Sequence, residues 1–127
     1  MARILVVEDD VILRCVLAEW LRIDEYDVVE AASGDEAAII LSSLLPVDLV
    51  VTDNNMPGDM SGLDLAAHIR EGYPTLPVVV VSGRALGDSL KRAFVTAFFP
   101  KPYNLMQLSS YIATLLPVTE AIAEELG

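Results

Sequence analysis

The sequence predicts a single α/β domain built on a five-stranded parallel sheet with helices on both faces. Two observations carry this reading. Apolar runs at 3–7, 26–31, 47–52, 76–82 and 97–99 alternate with segments of helical periodicity. The runs are also nearly continuous in Val, Leu and Ile, as strands are when helices cover both faces of a sheet. Crossovers between such strands are right-handed. A chain of 127 residues fits one domain of ordinary size, and a 54% hydrophobic share excludes a disordered chain.

Each element has a local reason. RILVV (3–7) reads as a buried strand. VILRCVLAEWLR (11–22) places Leu13, Val16, Leu17, Trp20 and Leu21 on one helical stripe. YDVVEA (26–31) is a shorter strand. Ser33 followed by Glu36 is a capping-box signature that opens a helix from Gly34 to Leu44. VDLVVT (47–52) is the third strand and runs straight into Asp53. Ser61 caps GLDLAAHIREG, which stops near Gly72 and Pro74. LPVVVVS (76–82) is the fourth strand. A weaker helical stretch, Asp88 to Val95, precedes the short fifth strand AFF (97–99). NLMQLSSYIATLL (104–116) is the last amphipathic helix, with Asn104 as its cap. The domain is expected over 1–117. VTEAIAEELG (118–127) is a tail that either adds a helical turn or two or frays.

Composition narrows the function. A net charge of −11 argues against direct binding of nucleic acid, which needs clustered Lys and Arg. No apolar run reaches the length of a membrane span and the N-terminus lacks a signal-peptide layout, so no membrane insertion and a cytoplasmic location are expected. One cysteine excludes an internal disulfide and a multi-cysteine zinc site, and His68, the only histidine, leaves little material for a histidine triad. Cys15 is expected in or near the core, Trp20 in the core, His68 in solvent, and Met56 packed under the loop after Asp53.

Ligands of open parallel sheets bind outside the carboxyl ends of the strands. Strand one ends at Glu8-Asp9-Asp10, strand three at Asp53, strand four at Ser82, and strand five just before Lys101-Pro102. Taken singly, these are a solvated loop or helix cap, a turn former and a surface lysine. Taken together, they put carboxylates, a hydroxyl and an ammonium on one sheet edge. Clustered carboxylates repel unless a cation sits among them. With oxygen donors only, the cation is hard, and Mg2+ fits. Lys101 and Ser82 can neutralise and bind further phosphate oxygens, and Asp53 can accept a phosphoryl group as an acyl phosphate. Asp10 is read as a helix cap.

RILVVEDD, DLVVTDNNMPG, SGLDLAAHIRE, LPVVVVSG and FFPKPYNLMQL, in this order, resemble the receiver domain of two-component response regulators. The resemblance spans roughly residues 2 to 116. It implies the flavodoxin-like strand order 2-1-3-4-5. It implies that Asp53 is the phosphoacceptor and that Glu8, Asp9, Asp53 and the backbone carbonyl of Asn55 hold Mg2+. Ser82 and Lys101 are then the phosphoryl-binding groups, with a cis Lys101-Pro102 bond. Phe98 matches the aromatic switch position, without a tyrosine hydroxyl, and Asn55 and Arg84 tune the lifetime of the acyl phosphate. The implied partners are a histidine kinase or histidine phosphotransfer protein, and a downstream protein target contacted by the fourth helix, fifth strand and fifth helix.

The sequence departs from the family at Asn54, where an apolar residue is commoner, at DMSG (59–62) and at Thr96-Ala97. The segment from Ser82 to Lys101 is also about one helical turn short. The expected function is a stand-alone receiver, itself no enzyme beyond assisting its own phosphorylation and dephosphorylation. Two alternatives stay open: a receiver belonging to a hybrid sensor kinase, which FFPKPY and SGRA resemble, and a phosphorylation-independent binding module. A homodimer through the fourth-helix face is compatible with each. An aspartyl phosphatase is disfavoured because Asn55 stands where its second aspartate would.

Overall fold

The computed structural model describes residues 1–56, 58–86 and 90–116. Five parallel strands, β1 (Arg3–Val7), β2 (Asp27–Ala31), β3 (Leu49–Asp53), β4 (Val78–Ser82) and β5 (Ala97–Pro100), form one sheet in the order β2-β1-β3-β4-β5. The helices are α1 (Val11–Ile23), α2 (Gly34–Ser42), α3 (Gly62–Gly72) and α4 (Leu105–Leu115).

Alternation of side chains along each strand divides the core in two. Ile4, Val6, Val51 and Val79 face α1 and α4, where Leu17, Leu21, Leu108 and Ile112 pack on them. Leu5, Val7, Val50 and Val80 face α2 and α3, meeting Leu41, Leu65 and Ile69. Strands covered on both sides need no polar alternation, and the central β3 and β4 are buried at every position. The order reverses at β1, whose neighbours are β2 and β3, so a crevice opens where those strands end. Among the described residues, no helix is long and apolar enough to cross a membrane.

Several local expectations need correction. The predicted helix 34–44 ends at Ser42, because the Ser42 and Ser43 hydroxyls donate to Ile39 O (2.7 Å) and Ile40 O (2.6 Å) and divert the last turn. Its capping box is half made: Glu36 N donates to Ser33 Oγ at 3.1 Å, but the Glu36 carboxylate reaches Ala32 N at 3.4 Å. The complete box is at α3, where Ser61 and Asp64 exchange both bonds. β3 starts two residues later than expected and takes in Asp53, and β5 gains Pro100.

On α1 the buried residues are Leu17, Ala18 and Leu21, so Cys15, 200° round the helix from Leu17, is exposed rather than in the core. Trp20 is only half-buried. Leu13 and Val16, on the predicted apolar stripe, remain 43% and 48% exposed.

The weak helix predicted from Asp88 to Val95 is a 3₁₀ turn, Leu90–Phe94, with Asp88 and Ser89 outside the described residues. Both its ends are held by α3: the Lys91 ammonium pairs with Asp64, and Arg70 donates to Phe94 O at 3.0 Å. The tail 118–127 also lies outside the described residues.

Candidate functional site

The parallel ladder sets the ends of β1, β3, β4 and β5 side by side. Val7 pairs with Thr52, Asp53 with Val81, and Ser82 with Pro100. Each next residue therefore emerges on the same edge. Glu8 is 5% exposed, Asp53 5% and Ser82 1%. Glu8, Thr52, Asp53 and Ser82 are the polar residues buried among the described residues, and their gathering here marks this edge out.

Carboxylate oxygens of Glu8, Asp9 and Asp53 lie within 4.8 Å of one another. Lys101 Nζ sits 2.7 Å from Glu8 Oε1 and 3.4 Å from Asp53 Oδ2. Its main chain is tied to β4 by a bond from Lys101 N to Ser82 O at 2.7 Å, and the following Lys101-Pro102 peptide is cis. Arg14 of α1 donates to Glu8 O at 2.8 Å. Asp10 is the N-cap of α1, accepting from Ile12 N and Leu13 N at 2.9 and 3.1 Å. Asp10 is thus a helix cap, as the sequence predicts.

Ser82 Oγ accepts two bonds, from Asn55 Nδ2 at 3.0 Å and from Arg84 N at 3.1 Å. Its proton is thus free to donate to an incoming oxygen. Arg84 reaches the site through its main chain, while the residue itself is exposed. Asn55 N lies 3.4 Å from Asp53 Oδ1. Phe98 is not brought to the cluster: it packs, half-buried, on the α2/α3 side of β5. Phe99 points to the other side, against Tyr111 with ring centroids 5.5 Å apart. Met56 packs on the α2/α3 core, and His68 is exposed as expected.

Two further residues, to which the sequence alone assigns no part in the site, support it. Gly62 lets the start of α3 press on the end of β3: a Cβ there would lie 2.5 Å from Asp53 O. Asn54 binds that same helix end. Both fall at departures from the family pattern, Asn54 itself and Gly62 within DMSG, but the contacts join positions eight or nine residues apart, which no local pattern shows.

The charges are unevenly settled. Burial pushes the Glu8 carboxyl up to about 7, against the pull of Lys101 and with help from the Asp53 charge. For Lys101, burial lowers the pKa, but the hydrogen bond to Glu8 and the charges of Glu8 and Asp53 outweigh it, so the ammonium is held above its ordinary value. The metal-free folded chain therefore keeps a proton on Glu8 that the unfolded chain releases near pH 4.5. Stability from this group is complete below pH 4.5 and lost as pH rises through 7. Glu8→Gln should therefore be more stable than wild type at pH 8 and gain little at pH 5. Urea midpoints without metal at both pH values check this; a gain that ignores pH would refute it. By the same linkage, a cation that needs the ionised carboxylate binds more weakly as pH falls below 7.

The donor set is oxygen only, with one ammonium alongside, which suits a hard divalent cation rather than zinc or copper.

Comparison with known proteins agrees with this arrangement. Residues 4–113 match the response regulator receiver domain family. The chain is 36% identical over 119 residues to the sensor kinase CckA of Brucella abortus, covering 91% of this chain and 12% of that one. It is 31% identical over 120 residues to a CheY homolog, a chemotaxis protein of Campylobacter jejuni, covering 90% and 92%. Among solved structures, the response regulator TrrA of Thermotoga maritima, in complex with Mg2+-BeF, superposes with a TM-score of 0.83 at 30% identity, covering 91% of this chain and all of that one. TrrA has also been solved in complex with the histidine kinase ThkA, with a TM-score of 0.82. The chain spans only 12% to 52% of the length of several curated relatives it matches. With the fold, the strand order and the acidic edge all in agreement, the chain belongs to the response regulator receiver domain family, the phosphoacceptors of two-component signalling.

Proposed function

We propose that Asp53 takes a phosphoryl group from a phosphohistidine and that this chain is a phosphorylation-controlled switch. The observation that carries the reading is the convergence of Glu8, Asp9 and Asp53 within 4.8 Å, with the Lys101 ammonium beside two of them, at the crevice where strand order reverses. Glu8, Asp9, Asp53 and the Asn55 carbonyl would hold Mg2+. Bound there, the ion would neutralise the carboxylates and spread charge from the phosphoryl oxygens.

The chain's own groups do the rest. An Asp53 carboxylate oxygen attacks phosphorus in line, the P–N bond to the imidazole breaks, and the histidine leaves with that electron pair. Lys101 pairs with one phosphoryl oxygen, and the free Ser82 proton donates to another. Drawing Ser82 and Lys101 onto the phosphoryl group alters the ends of β4 and β5, Phe98 moves, and the surface of the 3₁₀ turn, β5 and α4 changes for a downstream protein target. Water then hydrolyses the acyl phosphate at a rate set by the flanking Asn55 and Arg84.

The donor is a histidine kinase or a histidine phosphotransfer protein. An apolar groove of ≈ 390 Å³ adjoins the site, lined by Leu13, Val16, Lys101, Pro102, Tyr103 and Leu105. Lys101 belongs to both, so a helix of the donor resting in this groove brings its phosphohistidine to Asp53. Residues 1–117 form the receiver unit, acting in the cytoplasm.

A second reading, a binding module indifferent to phosphorylation, is favoured by one feature. The 3₁₀ turn on the output side is clasped at both ends by α3.

Intact mass after incubation with phosphoramidate, with and without Mg2+, separates the two. The switch gains one phosphoryl group only with metal and only when Asp53 is present; Asp53→Asn should gain none. No gain by wild type under any condition, with Mg2+ binding shown by calorimetry, supports the binding module instead.

A further inference from the structure

Asn54 stands between the acceptor Asp53 and the carbonyl of Asn55, and the reaction proposed above has no use for its amide. Yet its polar groups are engaged across three elements. Asn54 N donates to Val81 O at 2.9 Å, carrying the β3–β4 ladder one residue past the strand. Its carbonyl accepts from Gly62 N at 3.1 Å, and its Oδ1 accepts from Leu63 N at 3.0 Å. Those two N–H groups belong to the first turn of α3 and have no partner inside the helix. Asp64 N, the next donor, goes to Ser61 Oγ at 3.1 Å. Asn54 thus closes the base of the loop 54–61, with Gly62 supplying the room for the approach. An apolar side chain at this position would leave Leu63 N–H, on a buried residue, without an acceptor.

We propose that Asn54 is a positioning residue for phosphoryl uptake. By binding the first turn of α3 to the backbone between Asp53 and Asn55, it sets the direction in which the Asp53 carboxylate meets phosphorus and the place of the Asn55 carbonyl beside it. In-line attack is intolerant of displacement: an error of about 1 Å costs on the order of 100-fold in rate. A residue that only capped the helix would change stability and leave the rate per folded molecule alone. The inference rests on Asp53 being the acceptor.

Time courses of intact mass with phosphoramidate at saturating Mg2+ test it, beside thermal melts of the same samples. Asn54→Leu, which keeps the volume and loses the acceptor, is expected to take up phosphoryl roughly 10- to 100-fold more slowly. Asn54→Asp, which keeps an oxygen at the same reach, should come within about threefold of wild type, its added charge lying at the favourable end of α3. Should Asn54→Leu not fold, Asn54→Ala carries the same expectation. A lowered melting temperature with a wild-type rate would reduce Asn54 to a helix cap and overturn the proposal. So would Asn54→Asp being as slow as Asn54→Leu. Both results leave Asp53 as acceptor. Wild type taking up no phosphoryl group, or Asp53→Asn taking up as much as wild type, overturns the acceptor reading itself and the positioning role with it.

Discussion

Gly62→Ala is expected to cost about 2–4 kcal/mol of stability, from overpacking and from lost hydrogen bonds at the strand end. The added methyl would lie 2.5 Å from Asp53 O, 2.8 Å from Asn54 Cα and 3.0 Å from Asp53 C. All three are main-chain atoms at the end of a strand paired on both sides, so none can swing away as a flexible side chain would. The start of α3 must retreat, and the bonds from Gly62 N and Leu63 N to Asn54 stretch or break. Phosphoryl uptake should fall roughly tenfold or more, since the acceptor shifts with its backbone. Gly72→Ala is the control: nothing lies within 4 Å of a Cβ there, at the last residue of the same helix. It should leave uptake unchanged and add up to about 1 kcal/mol. Urea unfolding and phosphoryl gain on both variants decide the matter; equal effects would mean that the close approach is unimportant.

Lys101→Met should have the largest electrostatic effect. The substitution keeps the apolar stem and removes the charge 2.7 Å from Glu8 and 3.4 Å from Asp53. The side chains of both carboxylates are only 7% exposed, and that of Lys101 is 21% exposed. Removing one partner of a buried ionic group leaves uncompensated charge, so a loss of about 2–4 kcal/mol is expected at pH 8 without metal. The loss should shrink at pH 6, because Glu8 already takes up its proton near pH 7 and would do so more readily without the ammonium. Mg2+ should recover more stability in the variant than in wild type, since the ion takes over the neutralisation. A loss that ignores both pH and Mg2+ would show instead that Lys101 matters through its packed stem.

Legibility differed by level. The β-α alternation could be read because near-continuous apolar strands and 3.6-residue periodicity are local signals. The caps at Ser33, Ser61 and Asn104 are single residues, each acting on the N–H group three positions on. Boundaries slipped where side chains compete with the backbone, as Ser42 and Ser43 do at the end of α2. Leu13, Val16 and Cys15 of α1 stay exposed because an apolar residue on a helix can face a groove or solvent as well as the core. The 3₁₀ turn needed α3 to explain it, through Asp64 and Arg70.

For the site, the sequence by itself determined which side chains stand at the strand ends: Glu8, Asp9, Asp53, Ser82 and Lys101. A parallel sheet puts every strand's carboxyl end on one edge, so their meeting follows from periodicity and position alone. The tertiary structure decided what the sequence could not carry. It burdens Glu8 with burial and places Lys101 between Glu8 and Asp53. It turns Phe98 away from the cluster and presses Gly62 and Asn54 against the acceptor's backbone. Those outcomes depend on distances between residues far apart in the chain and on how much water remains between them. No local pattern encodes either quantity, because both arise only when the elements pack.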